Sequence, residues 1–135
     1  LEPLEDLDPD GDPVGEITRY IDRKLVMSRE MPKASRLFAM EVMQGAPVLG
    51  PILRGRLKAL VDEKAAVIRR WIEEGRIAPG DPHHLIFTIW ATTQHYADFD
   101  VQIRAILGAR GDNGAHFDTA RLTLEQLLIK GVAGK

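Results

Sequence analysis

The chain contains no cysteine, which excludes a disulfide framework and any thiolate-bound metal and leaves packing to hold the fold. It also has no apolar run near the ~20 residues that a membrane-spanning helix needs. Its acidic opening, LEPLEDLDPDGD, is the reverse of a cationic signal peptide, so a cytoplasmic protein without a membrane segment is expected. Neither charge is in excess: the formal net charge is −2 with both signs scattered, and no basic face marks this chain for nucleic acid. Strand-like alternation and internal repeats are missing too, and 135 residues suit one domain, residues 1–135.

What is present is helical periodicity, which predicts an all-α bundle of about five helices. Asp12-Pro13 reads as an N-cap followed by proline at the first helical position, and Val14, Ile17, Ile21, Leu25 and Ser28 recur every three or four residues. A short helix from about Pro32 to Gln44 is apolar through LFAMEVM, reads as buried nearly all round, and meets Gly45 where a left-handed cap belongs. A longer one after Ala46-Pro47, bent near Gly50-Pro51, aligns Leu53, Leu57, Leu60, Val61, Ile68, Trp71 and Ile72 and ends at Gly75. Asp81-Pro82 opens the fourth, expected to run to about Leu107. GARGDNG reads as a flexible connector, and the last helix covers about Phe117 to Gly131.

On a helical wheel the fourth helix shows two apolar arcs. Leu85, Ile89, Tyr96, Phe99, Ile103 and Leu107 form one; Ile86, Phe87, Trp90, Ala97, Val101 and Ala105 form the other. A surface helix buries one stripe, so two imply a second packing partner. The last helix is two-sided as well, and the pattern predicts a homodimer through the last two long helices, as a four-helix interface.

Short motifs carry less. In DLDPDGD, Asp6, Asp8, Asp10 and Gly11 fall on the first positions of a calcium loop, but Ile17 occupies the place of the bidentate glutamate and Glu16 is one residue early. The segment reads as an acidic loop. His84 and His95 share a helix face but stand about 16 Å apart along the axis, too far for one ion. His95 and Asp98, at i and i+3, are expected to pair with each other or with a second subunit. Glu41 interrupts an apolar helix, and an ion pair with an arginine such as Arg36 or with the cations of the long helix is its expected role, a place in a pocket wall being the alternative. No catalytic residues, metal site or cofactor are expected; a small metal-dependent helical enzyme using Glu41, His95 and Asp98 is the alternative, alongside a dimerisation domain with no effector.

The stretch IWATTQHYADFD places Trp90, Thr92, Thr93, Gln94, His95 and Tyr96 together inside the fourth helix. One reading bonds the threonines back to carbonyls one turn earlier and sends Gln94 and Tyr96 across the dimer. The other makes Trp90 and Gln94, one turn apart, the wall of a pocket for a planar polar ligand, the ring stacking and the amide supplying a donor and an acceptor.

ASRLFAMEVMQGAP and LVDEKAAVIRRWIEEGRIAPGDPHHLIFTIWATTQHYADF, with the spacing between them, resemble the C-terminal domain of TetR-type transcriptional regulators, and within these the pyrimidine-utilisation repressors. The resemblance covers the chain from about Leu1 to Lys135 and is strongest from Ala34 to Phe99. It implies an effector-binding and dimerisation domain rather than an enzyme, with a helix-turn-helix DNA reader upstream of Leu1. It also implies a pyrimidine such as uracil or thymine as effector, held by Trp90 and Gln94, with Thr93 and Tyr96 as secondary contacts.

Overall fold

Two aspartate-proline pairs open the two longest helices of the computed structural model, which describes residues 3–134, with the side chains of residues 112 and 113 outside the description. Asp12 sits in extended backbone, accepts the Gly15 N–H at 2.9 Å and starts α1 (Pro13–Glu30); Pro32 then opens α2 (Pro32–Met43). A short α3 (Gly50–Ile52) leads through a π-helical turn, Leu53–Leu57, into α4 (Lys58–Glu73). Asp81 caps α5 (Pro82–Asp98) by accepting from His84 N at 3.1 Å. There follow α6 (Asp100–Leu107), a 3-10 segment Gly108–Gly114, α7 (His116–Leu124), a π-turn Glu125–Ile129 and α8 (Lys130–Ala133). No strand occurs among the described residues, and the helical cores of the five expected helices are all present.

The core lies between α1, α4, α5 and α7. Ile17, Tyr20, Ile21 and Leu25 of α1 meet Val61, Ala65, Ile68 and Trp71 of α4, Ile86 and Ile89 of α5, and Phe117, Ala120 and Leu124 of α7. The acidic N-terminal loop belongs to this core as well. Leu4 and Leu7 are buried in it, and full burial of a leucine contributes about 1.5–3 kcal/mol. Polar clasps fix the loop from outside: Lys64 Nζ donates to the Leu7 carbonyl at 2.9 Å, and Arg70 and the Trp71 indole both donate to that of Pro9. The carboxylates resembling calcium ligands have other tasks. Asp8 accepts the Asp10 N–H, Asp6 pairs with Arg23, and Glu16 accepts the Asp8 N–H at 2.7 Å while pairing with Arg19.

Four expectations are corrected. First, α2 has no buried residue in this chain: Leu37, Met40 and Met43 are 69%, 54% and 73% exposed. Its apolar composition therefore describes a surface, because the helix packs mainly on α5 through its polar residues. Second, Glu41 makes no pair with Arg36; its Oε2 accepts the Val48 and Leu49 N–H groups at 2.7 and 2.9 Å, tying off the turn that leads into α3. Gly45, at φ 96°, provides the left-handed turn between.

Third, the helix from Pro82 does not run on to Leu107. Phe99, at φ −119° and ψ 31°, breaks it into α5 and α6. The break sits where α2 reaches in: Arg36 donates to the Ala97 carbonyl at 3.2 Å and Ser35 to the Asp98 carboxylate at 2.6 Å. A side chain that takes a carbonyl from the i→i−4 ladder is a recognised origin of such kinks. Fourth, the connector GARGDNG carries regular structure of its own, a 3-10 segment between α6 and α7.

Candidate functional site

The buried stripe of α5 is Pro82, Ile86, Ile89, Thr93 and Ala97, a line between the two apolar arcs of the wheel. Thr93 fits there because its hydroxyl is satisfied within the helix, donating to the Ile89 carbonyl at 2.6 Å, while Ser28 of α1 donates to the Thr93 carbonyl at 2.9 Å. Thr92 bonds back to Thr88 O in the same way at 2.8 Å, as expected of both threonines.

Beside this stripe, Trp90 and Gln94 follow one another by a turn, both half-buried. The Trp90 indole N–H donates to the Tyr20 hydroxyl of α1 at 2.7 Å, which fixes the ring plane. Phe87 extends the aromatic surface, its ring centroid 5.8 Å from that of Trp90. Gln94 is different. Among the described residues its amide makes no hydrogen bond, leaving a donor and an acceptor free one turn from an anchored aromatic ring. Tyr20, Ser35 and Arg36, which frame this face from α1 and α2, carry no sequence signal of their own; only the long-range bonds to Trp90, Asp98 and Ala97 identify them.

The four candidate residues do not gather in one cavity. Thr93 is fully buried between α5 and α1, and Tyr96 lies toward α7, its ring 5.9 Å from that of Phe117. Tyr96 lines a second feature, an open cleft of about 700 Å³ bounded also by His95, Leu107, Arg110, His116 and Thr123. His116 is buried there against Phe117, ring centroids 4.6 Å apart, and both its ring nitrogens lack a hydrogen-bond partner among the described residues. Phe99, Val101 and Ile106 beside the cleft, and Leu122 and Leu127 on the last helix, are exposed.

Glu41, His95 and Asp98 have separate occupations. Glu41 holds the Val48–Leu49 turn, His95 stacks on Phe99 at 4.9 Å, and Asp98 accepts from Ser35 rather than from His95. No cluster of three or more metal-ligating side chains occurs among the described residues. His83 pairs with Asp62 at 2.9 Å, and hydrogen bonds from Lys58 and His83 hold the Asp62 carboxyl below its usual range. The Asp81 carboxyl is likewise lowered, chiefly by the His84 N–H it caps. Asp22 moves the other way: burial, and then a hydrogen bond with Glu125, push it up to about 6. No helix among the described residues is long and apolar enough to cross a membrane.

The chain is 47% identical over 132 residues to the HTH-type transcriptional regulator RutR of Escherichia coli (strain K12) and, equally, to that of Shigella flexneri, and 46% identical to that of Escherichia coli O157:H7. Each match covers 98% of this chain and 62% of the relative, so the chain spans under two thirds of the length of the curated relatives it matches. The relatives are named as transcription regulators, in keeping with a site that offers recognition groups rather than a nucleophile and base. The family model described as YcdC-like protein, C-terminal region, matches residues 1–135, and the chain belongs to this TetR-type C-terminal family.

Proposed function

We propose that this chain is the effector-binding and homodimerisation region of a transcription regulator, and that its effector is a planar pyrimidine such as uracil or thymine held by Trp90 and Gln94. The free amide of Gln94 beside the anchored Trp90 ring carries the reading. A pyrimidine ring presents a face for stacking and alternating donors and acceptors at its edge, which a carboxamide matches with one of each. The relatives' name, HTH-type transcriptional regulator, supports a DNA-reading part elsewhere in the full protein. The exposed Phe99 at the break, Val101 and Ile106 of α6, with Leu122 and Leu127, support a twofold partner on the α6–α7 side.

Effector control then needs only a differential affinity. A ligand that prefers one arrangement of α5 against α1 and α2 shifts the dimer toward it, with coupling typically about 1–3 kcal/mol. The experiment is a thermal-shift titration with uracil and thymine on the parent and on Gln94→Ala. A rise in melting temperature for the parent and none for the variant is the expected result. No shift in the parent at millimolar ligand would refute the pyrimidine reading and favour a dimerisation region without effector.

A further inference from the structure

An indole that stacks on a ligand must have its ring plane held, because a ring free to turn about its last side-chain bond presents its face in some orientations and its edge in others. Trp90 is held at its polar edge. Its indole N–H donates to the Tyr20 hydroxyl at 2.7 Å, a bond that joins α5 to α1. Tyr20 is itself immobilised: it is buried in the core cluster with Ile17, Ile21 and Leu25 of its own helix, and it has a further interaction besides the one with Trp90. Trp90 has less packing around it. It is only half-buried, and Phe87, the aromatic neighbour one turn earlier, is 46% exposed and meets it at a tilt of 48°, so packing on that flank does not fix the plane.

We propose that Tyr20 is a positioning residue of the effector site: its hydroxyl holds the Trp90 ring in the plane on which a pyrimidine stacks and keeps the indole N–H out of ligand recognition. The proposal rests on the effector reading given above. Because the indole N–H is already taken, Trp90 offers the ligand a face and no hydrogen bond, and reading the ligand's edge falls to the free donor and acceptor of Gln94. Without the hydroxyl the ring also populates orientations that cannot stack. The apparent dissociation constant then rises in inverse proportion to the fraction of protein that stays competent. Loss of one neutral hydrogen bond lowers that fraction to between about one half and one tenth. Tyr20→Phe isolates the effect, since it removes a single oxygen atom and keeps the ring that fills the core.

The test is calorimetry with uracil on the whole chain, below the melting transition of every protein compared, for the parent, Tyr20→Phe and Gln94→Ala. The parent is expected to bind, Gln94→Ala to lose binding, and Tyr20→Phe to bind about two- to tenfold more weakly. A hydroxyl that served stability alone would lower the melting temperature and leave the affinity of the folded protein unchanged. Equal affinities for the parent and Tyr20→Phe therefore overturn the positioning role and leave the effector reading standing. No binding by the parent refutes the effector reading, and the positioning role falls with it. Nuclear magnetic resonance reads the bond itself. The chain has two tryptophans, so Trp90→Phe assigns both indole N–H signals. In Tyr20→Phe the Trp90 signal is expected to move and to exchange faster with water, while that of Trp71, which donates to the Pro9 carbonyl, stays in place. An unmoved Trp90 signal would overturn the proposal. Should Tyr20→Phe fail to fold, the parent alone decides: the Overhauser contact between the Trp90 indole proton and the Tyr20 ring is expected to persist at saturating uracil, and its loss would show that the ligand takes the donor.

Discussion

Replacing Glu41 by alanine tests whether the turn between α2 and α3 is held by one carboxylate oxygen. Oε2 accepts two backbone N–H groups, Val48 at 2.7 Å and Leu49 at 2.9 Å. Both lie just before a helix start, where donors have no intrahelical acceptor and the dipole favours negative charge. Loss of such a side-chain cap costs about 0.5–2 kcal/mol, and hydrogen bonds to a charged acceptor lie in the upper part of the range. Val48 is exposed, so water takes over part of what is lost. The expected destabilisation is about 1–2 kcal/mol, equivalent to a fall in melting temperature of roughly 4–8 °C for a domain of this size. Glu41→Gln keeps a carbonyl acceptor and should lose about half as much. Urea unfolding followed by circular dichroism, with all proteins at one concentration so that any self-association contributes equally to apparent stability, measures the total. Hydrogen exchange at the Val48 and Leu49 amides locates it. If Glu41→Ala leaves stability and both amides' protection unchanged, the carboxylate does not hold the turn and the argument fails.

Two further outcomes follow from the same geometry. Gly11→Ala would place a Cβ 2.7 Å from Glu16 Oε2 and 2.8 Å from its Cγ and Cδ, forcing the carboxylate off the Asp8 N–H; a loss of about 1–2 kcal/mol is expected in the urea midpoint. At the acid end, the Asp62 and Asp81 carboxyls lie below 3.8, so what they contribute is present above that value and disappears as pH falls below it. Asp62→Asn should therefore flatten the acid limb of a melting-temperature profile, and an unchanged limb would remove Asp62 from it.

The helices were legible in the sequence because their signals are local. Asp12-Pro13 and Asp81-Pro82 satisfy the first orphan N–H groups within three residues, Gly45 supplies a positive φ, and the stripe Val61, Ile68, Trp71 repeats at helical spacing. Family membership was legible for a related reason: a long run of residues in order is far more specific than any motif. Trp90 and Gln94 could be paired because one helical turn separates them. Which polar groups on that face stay free was another matter, since Tyr20 occupies the Trp90 N–H across 70 residues of sequence.

Tertiary structure decided everything that depends on which face meets which neighbour. The apolar run LFAMEVM has the composition of a core helix and lies on the surface, because α2 meets α5 through Ser35 and Arg36. Those two side chains also end α5 at Asp98, where local propensity would have continued the helix. The acidic N-terminal loop, unremarkable in composition, drives Leu4 and Leu7 into the core because Lys64, Arg70 and Trp71 hold its carbonyls. The sequence by itself determined where helices begin and which polar residues share a helix face. The contacts between distant segments decided which of those residues are already spoken for, because a hydrogen-bonding group satisfied inside the protein is no longer available to anything outside it.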